Sequence, residues 1–151
     1  MKTIRLTGSA LRLSDVVAAA RRESRAALAP SARRAMAASR RVVDRAIRSG
    51  ASVYGVTTGF GKFADVAIPP GDIEELQRNL IRSHAAGVGA PLGPAAVRAM
   101  MILRSNALAR GNSGIRVATV ETLLAMLAAD ILPVIPCQGS VGASGDRKSV
   151  V

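Results

Sequence analysis

Pro30-Ser31-Ala32-Arg33-Arg34-Ala35-Met36-Ala37-Ala38-Ser39-Arg40-Arg41-Val42-Val43-Asp44-Arg45-Ala46-Ile47-Arg48-Ser49-Gly50 is the stretch that sets the fold class. Ala32, Ala35, Met36, Val42, Val43, Ala46 and Ile47 recur with the 3.6-residue period of one helix face. Arg33, Arg34, Arg40, Arg41, Arg45 and Arg48 fall mostly on the other faces. Pro30-Ser31 opens the helix and Gly50 stops it, because proline suits a first turn and glycine a left-handed C-terminal residue.

The same reading extends in both directions. Upstream, Ser14 is placed to cap a helix running to about Leu28, with Val16, Val17 and Ala20 on its apolar side. Downstream, Pro69-Pro70-Gly71 breaks the chain. Asp72 and Glu75 then have the spacing of a capping box, with Asp in place of Ser or Thr. This spacing predicts a helix ending near His84 that carries Ile73, Leu76, Leu80 and Ile81 inward. Gly93-Pro94 starts another helix, with Val97, Met100, Met101 and Leu108 on one side and Gly111 closing it. A further helix spans about Gly114 to Asp130. Ile131 to Pro136 reads as extended and apolar, and strand signals elsewhere are thin. The expected fold is mainly α, with glycine-rich loops between helices. No internal repeat and no low-complexity linker interrupts it.

Composition limits the function classes. A chain of 151 residues with 49% hydrophobic residues is long enough to bury a core. The formal net charge is +11, from 18 Arg and 3 Lys against 10 acidic residues. The basic residues crowd the first 50 positions. They interleave with alanine at helical spacing, and no aromatics stand among them to stack bases. A solvated helix face or assembly surface is therefore expected, with no nucleic-acid partner and no membrane partner. The single Cys137 excludes an internal disulfide and a cysteine metal cluster. No grouping of His, Cys and carboxylates has metal-ligand spacing, so no metal is expected. The N-terminus lacks an apolar signal region, and no apolar run approaches ~20 residues. The expectation is a cytoplasmic protein.

The unusual residues sit in the loops. Gly139-Ser140-Val141-Gly142-Ala143-Ser144-Gly145-Asp146 contains an Ala-Ser-Gly triplet among glycines. In a tight bend, the Gly145 amide nitrogen can attack the Ala143 carbonyl carbon. Loss of two waters then leaves an imidazolone with Ser144 as a dehydroalanine, that is, 4-methylidene-imidazole-5-one. This is a strong electrophile that no ordinary side chain supplies. The residue types suit the chemistry: Gly145 is an unhindered nucleophile, Ser144 has a hydroxyl to eliminate, and Ala143 is small. Gly139 and Gly142 permit backbone angles closed to other residues. Ala-Ser-Gly also serves as an ordinary turn.

The aromatics are confined too. The chain has one Tyr, two Phe and no Trp, all within Tyr54-Gly55-Val56-Thr57-Thr58-Gly59-Phe60-Gly61-Lys62-Phe63. Such a stretch is either a mobile active-site segment or a local mini-core pinning a long loop. The only histidine lies in Ser83-His84-Ala85-Ala86-Gly87-Val88-Gly89, where a predicted helix enters a glycine loop. It is placed either to face a pocket or to serve structure.

These segments, with Arg104-Ser105-Asn106-Ala107-Leu108-Ala109-Arg110-Gly111-Asn112-Ser113-Gly114-Ile115-Arg116, occur in an order and spacing that resemble the N-terminal part of the aromatic amino acid ammonia-lyases. The likeness is greatest to the histidine-specific members and covers about Leu6 to Asp146. It implies an N-terminal fragment of a large helical-bundle lyase, incomplete over residues 1–145. It implies that Ala143, Ser144 and Gly145 form the electrophile and that Tyr54 is the base removing the substrate β-proton. Gly59, Phe60 and Gly61 would support the loop, and Ser83 and His84 would line the pocket for the substrate side chain. A phenol with its ordinary pKa of about 10 is a poor base at neutral pH, so such a site must lower it. The resemblance further implies a homotetramer whose active sites draw on several subunits, and a parent acting on an aromatic amino acid, with histidine going to urocanate.

Two departures qualify the substrate. Thr57 stands where histidine enzymes usually carry Asn, and Thr57-Thr58 is more like phenylalanine lyases and tyrosine aminomutases. Asn112 replaces a bulkier residue. A tyrosine or phenylalanine lyase, an aminomutase of the same family, and a non-catalytic basic helical module stand as alternatives. The ending Asp146-Arg147-Lys148-Ser149-Val150-Val151 departs from the family's apolar Leu-Ala-Pro-Leu continuation. Burying two unpaired cations there costs several kcal/mol. Residues 146–151 are therefore read as an atypical tail, matching a translated sequencing adapter, with a truncated or frameshifted gene as the alternative. The fragment alone is expected to be catalytically silent.

Overall fold

The structure, a computed structural model, describes residues 1–59, 66, 68–139, 141–142 and 145–146. The described chain is mainly helical, as expected, with five α-helices and short strands. It divides into two compact units. One combines Met1–Arg41 with Pro91–Val134, and the other Val42–Ala90 with Ile135–Val151.

The first unit starts with a strand, β1 (Lys2–Leu6), then α1 (Leu13–Ala20), then β2 (Ser24–Leu28). The strands pair in parallel, with Lys2 opposite Ser24 and Leu6 opposite Leu28. β1 alternates as a half-buried strand should: Ile4 and Leu6 are buried, while Thr3 and Arg5 are exposed. This corrects the expected single helix from Ser14 to Leu28. The helix ends at Ala20, and Arg22 takes a left-handed φ of 63° that turns the chain. Ser24-Arg25-Ala26-Ala27-Leu28 then finds ladder partners in residues distant in sequence. The start is also corrected. The helix opens on Arg12, whose N–H donates to the Asp15 carboxylate at 3.2 Å, and Ser14 lies inside it.

Against this pair pack α2 (Pro30–Ser49) through Ala32 and Met36, α4 (Pro94–Ala109) through Ile102, Leu108 and Ala109, and α5 (Val117–Ala128) through Val120 and Leu124. Each fully buried aliphatic side chain of this kind contributes roughly 1.5–3 kcal/mol. Not every predicted apolar position is inside: Val42 and Met100 are exposed. Ser105 is completely buried in α4 and donates to the Met101 carbonyl at 2.8 Å, so its hydroxyl is satisfied.

The Arg104–Arg116 segment has a structural task. The Asn106 Oδ1 accepts from the Gly8 N–H at 3.1 Å. Gly111, at φ 76°, lies so close to α2 that a Cβ there would sit 2.6 Å from the Ala35 carbonyl carbon. The Gly114 N–H donates to Ser39 Oγ at 3.0 Å, and the Arg40 guanidinium donates to the Gly114 carbonyl at 3.4 Å. Arg33 of α2 forms an ion pair with Glu121 of α5.

The ends of α1, α4 and α5 are joined by charge. The Arg98 Nε donates to Asp130 Oδ1 at 2.8 Å and its Nη1 to the Ala20 carbonyl at 3.2 Å. Arg22 approaches the other Asp130 oxygen at 3.2 Å. The Arg98 hydrogen bond, aided by the Arg22 charge, holds the Asp130 carboxyl below its usual pKa.

In the second unit, a 3-10 turn (Pro70–Asp72) leads into α3 (Ile73–His84). The expected capping box does not form, because Asp72 is folded into the 3-10 turn and its side chain caps nothing. Ile73, Leu76 and Leu80 are half-buried, but Ile81 is 65% exposed within the described chain, against the expectation. Two small sheets complete the unit. β3 (Val88–Pro91) pairs with β4 (Pro136–Gln138), and β5 (Val141–Gly142) pairs with β6 (Gly145–Asp146). No helix among the described residues is long and apolar enough to cross a membrane.

Candidate active site

The candidate residues fall in three segments of the second unit. The first is the turn around Tyr54. The Val53 carbonyl accepts from the N–H groups of both Val56 and Thr57, each at 3.0 Å. Gly55 sits at φ 70°, where a Cβ would be strained. The Thr57 hydroxyl accepts from the Val53 N–H at 2.8 Å and donates to the Ala51 carbonyl at 2.6 Å. The Thr58 hydroxyl accepts from the Gly55 N–H at 3.3 Å and donates to the Gly59 carbonyl at 3.0 Å. Both threonines are buried, Thr58 to 1% exposure, while Tyr54 is 62% exposed. A turn tied by two buried hydroxyls therefore presents the phenol outward. The Gly59 N–H and Thr57 carbonyl bond the returning chain at Val66 and Ile68. Gly59 is buried; Phe60 and Gly61 lie outside the described residues. Beneath the turn, Ile47, Gly50, Ser52, Thr57, Ile68, Pro69 and Ile73 line a cavity of about 310 Å³.

The second segment is the end of α3. Ser83 and His84 occupy its last two positions, as expected, and the Ser83 hydroxyl donates to the Leu80 carbonyl at 3.0 Å. The glycines that follow permit a close approach to the third segment. A Cβ at Gly87 would lie 3.0 Å from the Pro136 ring, and one at Gly89, at φ 88°, would lie 2.9 Å from Cys137 Sγ. The chain leaving His84 is thus laid against the strand that leads to Gly139. Sequence reasoning named these glycines without giving them this role. Their two-residue spacing, matching the side-chain period of a strand, was the available signal.

In the third segment, Val141 pairs with Asp146 and Gly142 with Gly145 across an antiparallel ladder. Ala143 and Ser144, between them in sequence, lie outside the described residues. The ladder thus pairs the residues that flank Ala143 and Ser144. Arg147 to Val151 also lie outside the described residues.

Residues 11–149 match the family model described as aromatic amino acid lyase. The histidine ammonia-lyase of Anaeromyxobacter dehalogenans is 55% identical over 146 residues, which are 97% of this chain and 29% of that protein. Among solved structures, histidine ammonia-lyase from Trypanosoma cruzi superposes with a TM-score of 0.83 at 39% identity, over 94% of this chain and 27% of that one. Tyrosine aminomutase from Streptomyces globisporus gives 0.87 at 31% identity, over 92% and 26%. The chain spans under a third of the length of the curated relatives it matches. With the family model matched across nearly the whole sequence, the chain belongs to the aromatic amino acid lyase family.

Proposed function

We propose that the full-length parent of this chain is a cytoplasmic, homotetrameric histidine ammonia-lyase that converts L-histidine to urocanate and ammonia. The observation that carries the substrate is the 55% identity to a histidine ammonia-lyase over 97% of the chain. The prosthetic group is 4-methylidene-imidazole-5-one from Ala143, Ser144 and Gly145. The residue types support the fit, since Ala143 is small, Ser144 has a hydroxyl to eliminate and Gly145 offers an unhindered amide nitrogen. When formed, the group supplies an electrophile that activates the amino acid for loss of ammonia.

The remaining tasks fall to side chains of this chain. Tyr54, on its tied turn, takes the proton from the substrate β-carbon. Ser83 and His84 line the side-chain pocket, where an imidazole partner suits histidine. Gly59, Phe60 and Gly61 support the loop that excludes water. In the parent, Ser144→Ala leaves no hydroxyl to eliminate and abolishes both the imidazolone absorbance and turnover. Tyr54→Phe keeps the absorbance and slows turnover by roughly 10²–10⁴, the usual worth of a general base. An active Ser144→Ala enzyme refutes the mechanism. Thr57 beside Thr58, with the likeness to tyrosine aminomutase, favours a second reading as an aminomutase. Product analysis separates the two, because an aminomutase returns a β-amino acid and the lyase gives urocanate.

A further inference from the structure

We infer that Thr57 and Thr58 are positioning residues for Tyr54, Thr57 gripping Val53 at both its N–H and its carbonyl, and Thr58 holding the peptide after Tyr54 through its buried hydroxyl. The inference rests on the reading of Tyr54 as the base. Before Tyr54, the Val53 N–H is held by Thr57 Oγ1 at 2.8 Å, and the Val53 carbonyl is held by the Thr57 N–H at 3.0 Å. After Tyr54, the Gly55 N–H is held by Thr58 Oγ1 at 3.3 Å. Each hydroxyl also donates onward, to Ala51 and Gly59 respectively, so each is oriented and has its proton committed. With both flanking peptides tied, the Tyr54 backbone has little freedom, and only the side-chain torsions remain to aim the phenol. The glycine content of the loop suggests a freely moving lid. The hydrogen bonds describe instead a braced turn at its Tyr54 end, in which Gly55 supplies the left-handed residue the turn needs.

The hydroxyl is the element that matters, so valine and serine separate it from shape. Amide hydrogen exchange on the 151-residue chain reads the brace directly. In the unmutated chain, the Val53 and Gly55 amides should exchange at least about tenfold more slowly than the free-peptide rate. Thr58→Val should speed Gly55 exchange about fivefold, the equivalent of one neutral hydrogen bond, and Thr58→Ser should restore it. The Val97 amide in α4 serves as the unaffected control. Tyr54 is the only tyrosine and there is no tryptophan, so fluorescence anisotropy reports this residue alone; it should fall in Thr58→Val and recover in Thr58→Ser. Free-rate exchange at Val53 and Gly55 in the unmutated chain overturns the inference without any variant. In the full-length parent, Thr58→Val should lower kcat severalfold with KM held, and Thr58→Ser should recover it. A loosened turn with unchanged kcat overturns the positioning role. If instead Tyr54→Phe retains full turnover, the assignment of the base fails while the exchange result stands.

Discussion

Replacing Gly111 with alanine should be far more damaging than replacing Gly50, although both sit at a left-handed φ, 76° and 66°. A Cβ in that region costs roughly 1–2 kcal/mol. At Gly50, just past the end of α2, nothing lies within 4 Å of the added atom, so this strain is the whole cost. At Gly111 the added Cβ would lie 2.6 Å from the Ala35 carbonyl carbon and 2.8 Å from the Met36 nitrogen. These are backbone atoms of α2 and cannot rotate away. The helix must move, and Met36 is among the most deeply buried side chains of the core. Overpacking of this kind costs about 1–3 kcal/mol more, for a total of about 2–5. That is a large share of the ~5–15 kcal/mol that holds a domain folded. Urea unfolding followed by far-ultraviolet circular dichroism measures it. With a urea slope of about 2 kcal/mol per molar, Gly111→Ala should lower the midpoint by roughly 1–2.5 M and Gly50→Ala by roughly 0.5–1 M. Equal shifts for the two variants would show that the contact with α2 does not constrain the fold.

Three other outcomes are expected. Asp130 has a lowered pKa in the folded state, so its contribution to stability is fully present above the unfolded carboxylate range and is lost as pH falls below about 4, through the lower folded value; urea midpoints measured from pH 2 to 7 should show a smaller acid-side loss in Asp130→Asn than in the parent sequence. The 151-residue chain assayed with histidine, tyrosine and phenylalanine should release no ammonia, and clear turnover by any of them contradicts the fragment reading. In the full-length parent, His84→Ala should weaken histidine turnover while leaving the imidazolone absorbance in place; unchanged histidine kinetics make His84 structural.

The helices were legible because their signals are local. α2 shows its face in the spacing of Ala32 and Met36, although Ala35 between them is exposed, and α4 is bounded by Gly93-Pro94 and Gly111. The parallel pair β1–β2 was not, because Ser24-Arg25-Ala26-Ala27-Leu28 has the composition of a helix and becomes a strand only through residues far upstream. Ile81 misled for a related reason: its position follows the helical period, and periodicity does not say how much of an apolar stripe is covered. The candidate site was visible as residue types gathered in glycine loops. The bracing of Tyr54 was not, since which amide a threonine hydroxyl binds depends on the turn that the hydroxyl itself helps to close.

The interleaving of the two units imposes an order on synthesis. Neither unit is a continuous stretch of chain: Val42–Ala90 is made while the first unit still lacks α4 and α5, and the second unit waits for Ile135 onward. On the ribosome, the segments bearing Tyr54 and His84 emerge well before β4, the strand that closes against Gly87 and Gly89. Ala143, Ser144 and Gly145 emerge later still. Were the proposed electrophile to close early, a reactive centre would stand in an open, half-made protein. Vectorial synthesis keeps the triplet from existing until all of the first unit and most of the second have been translated.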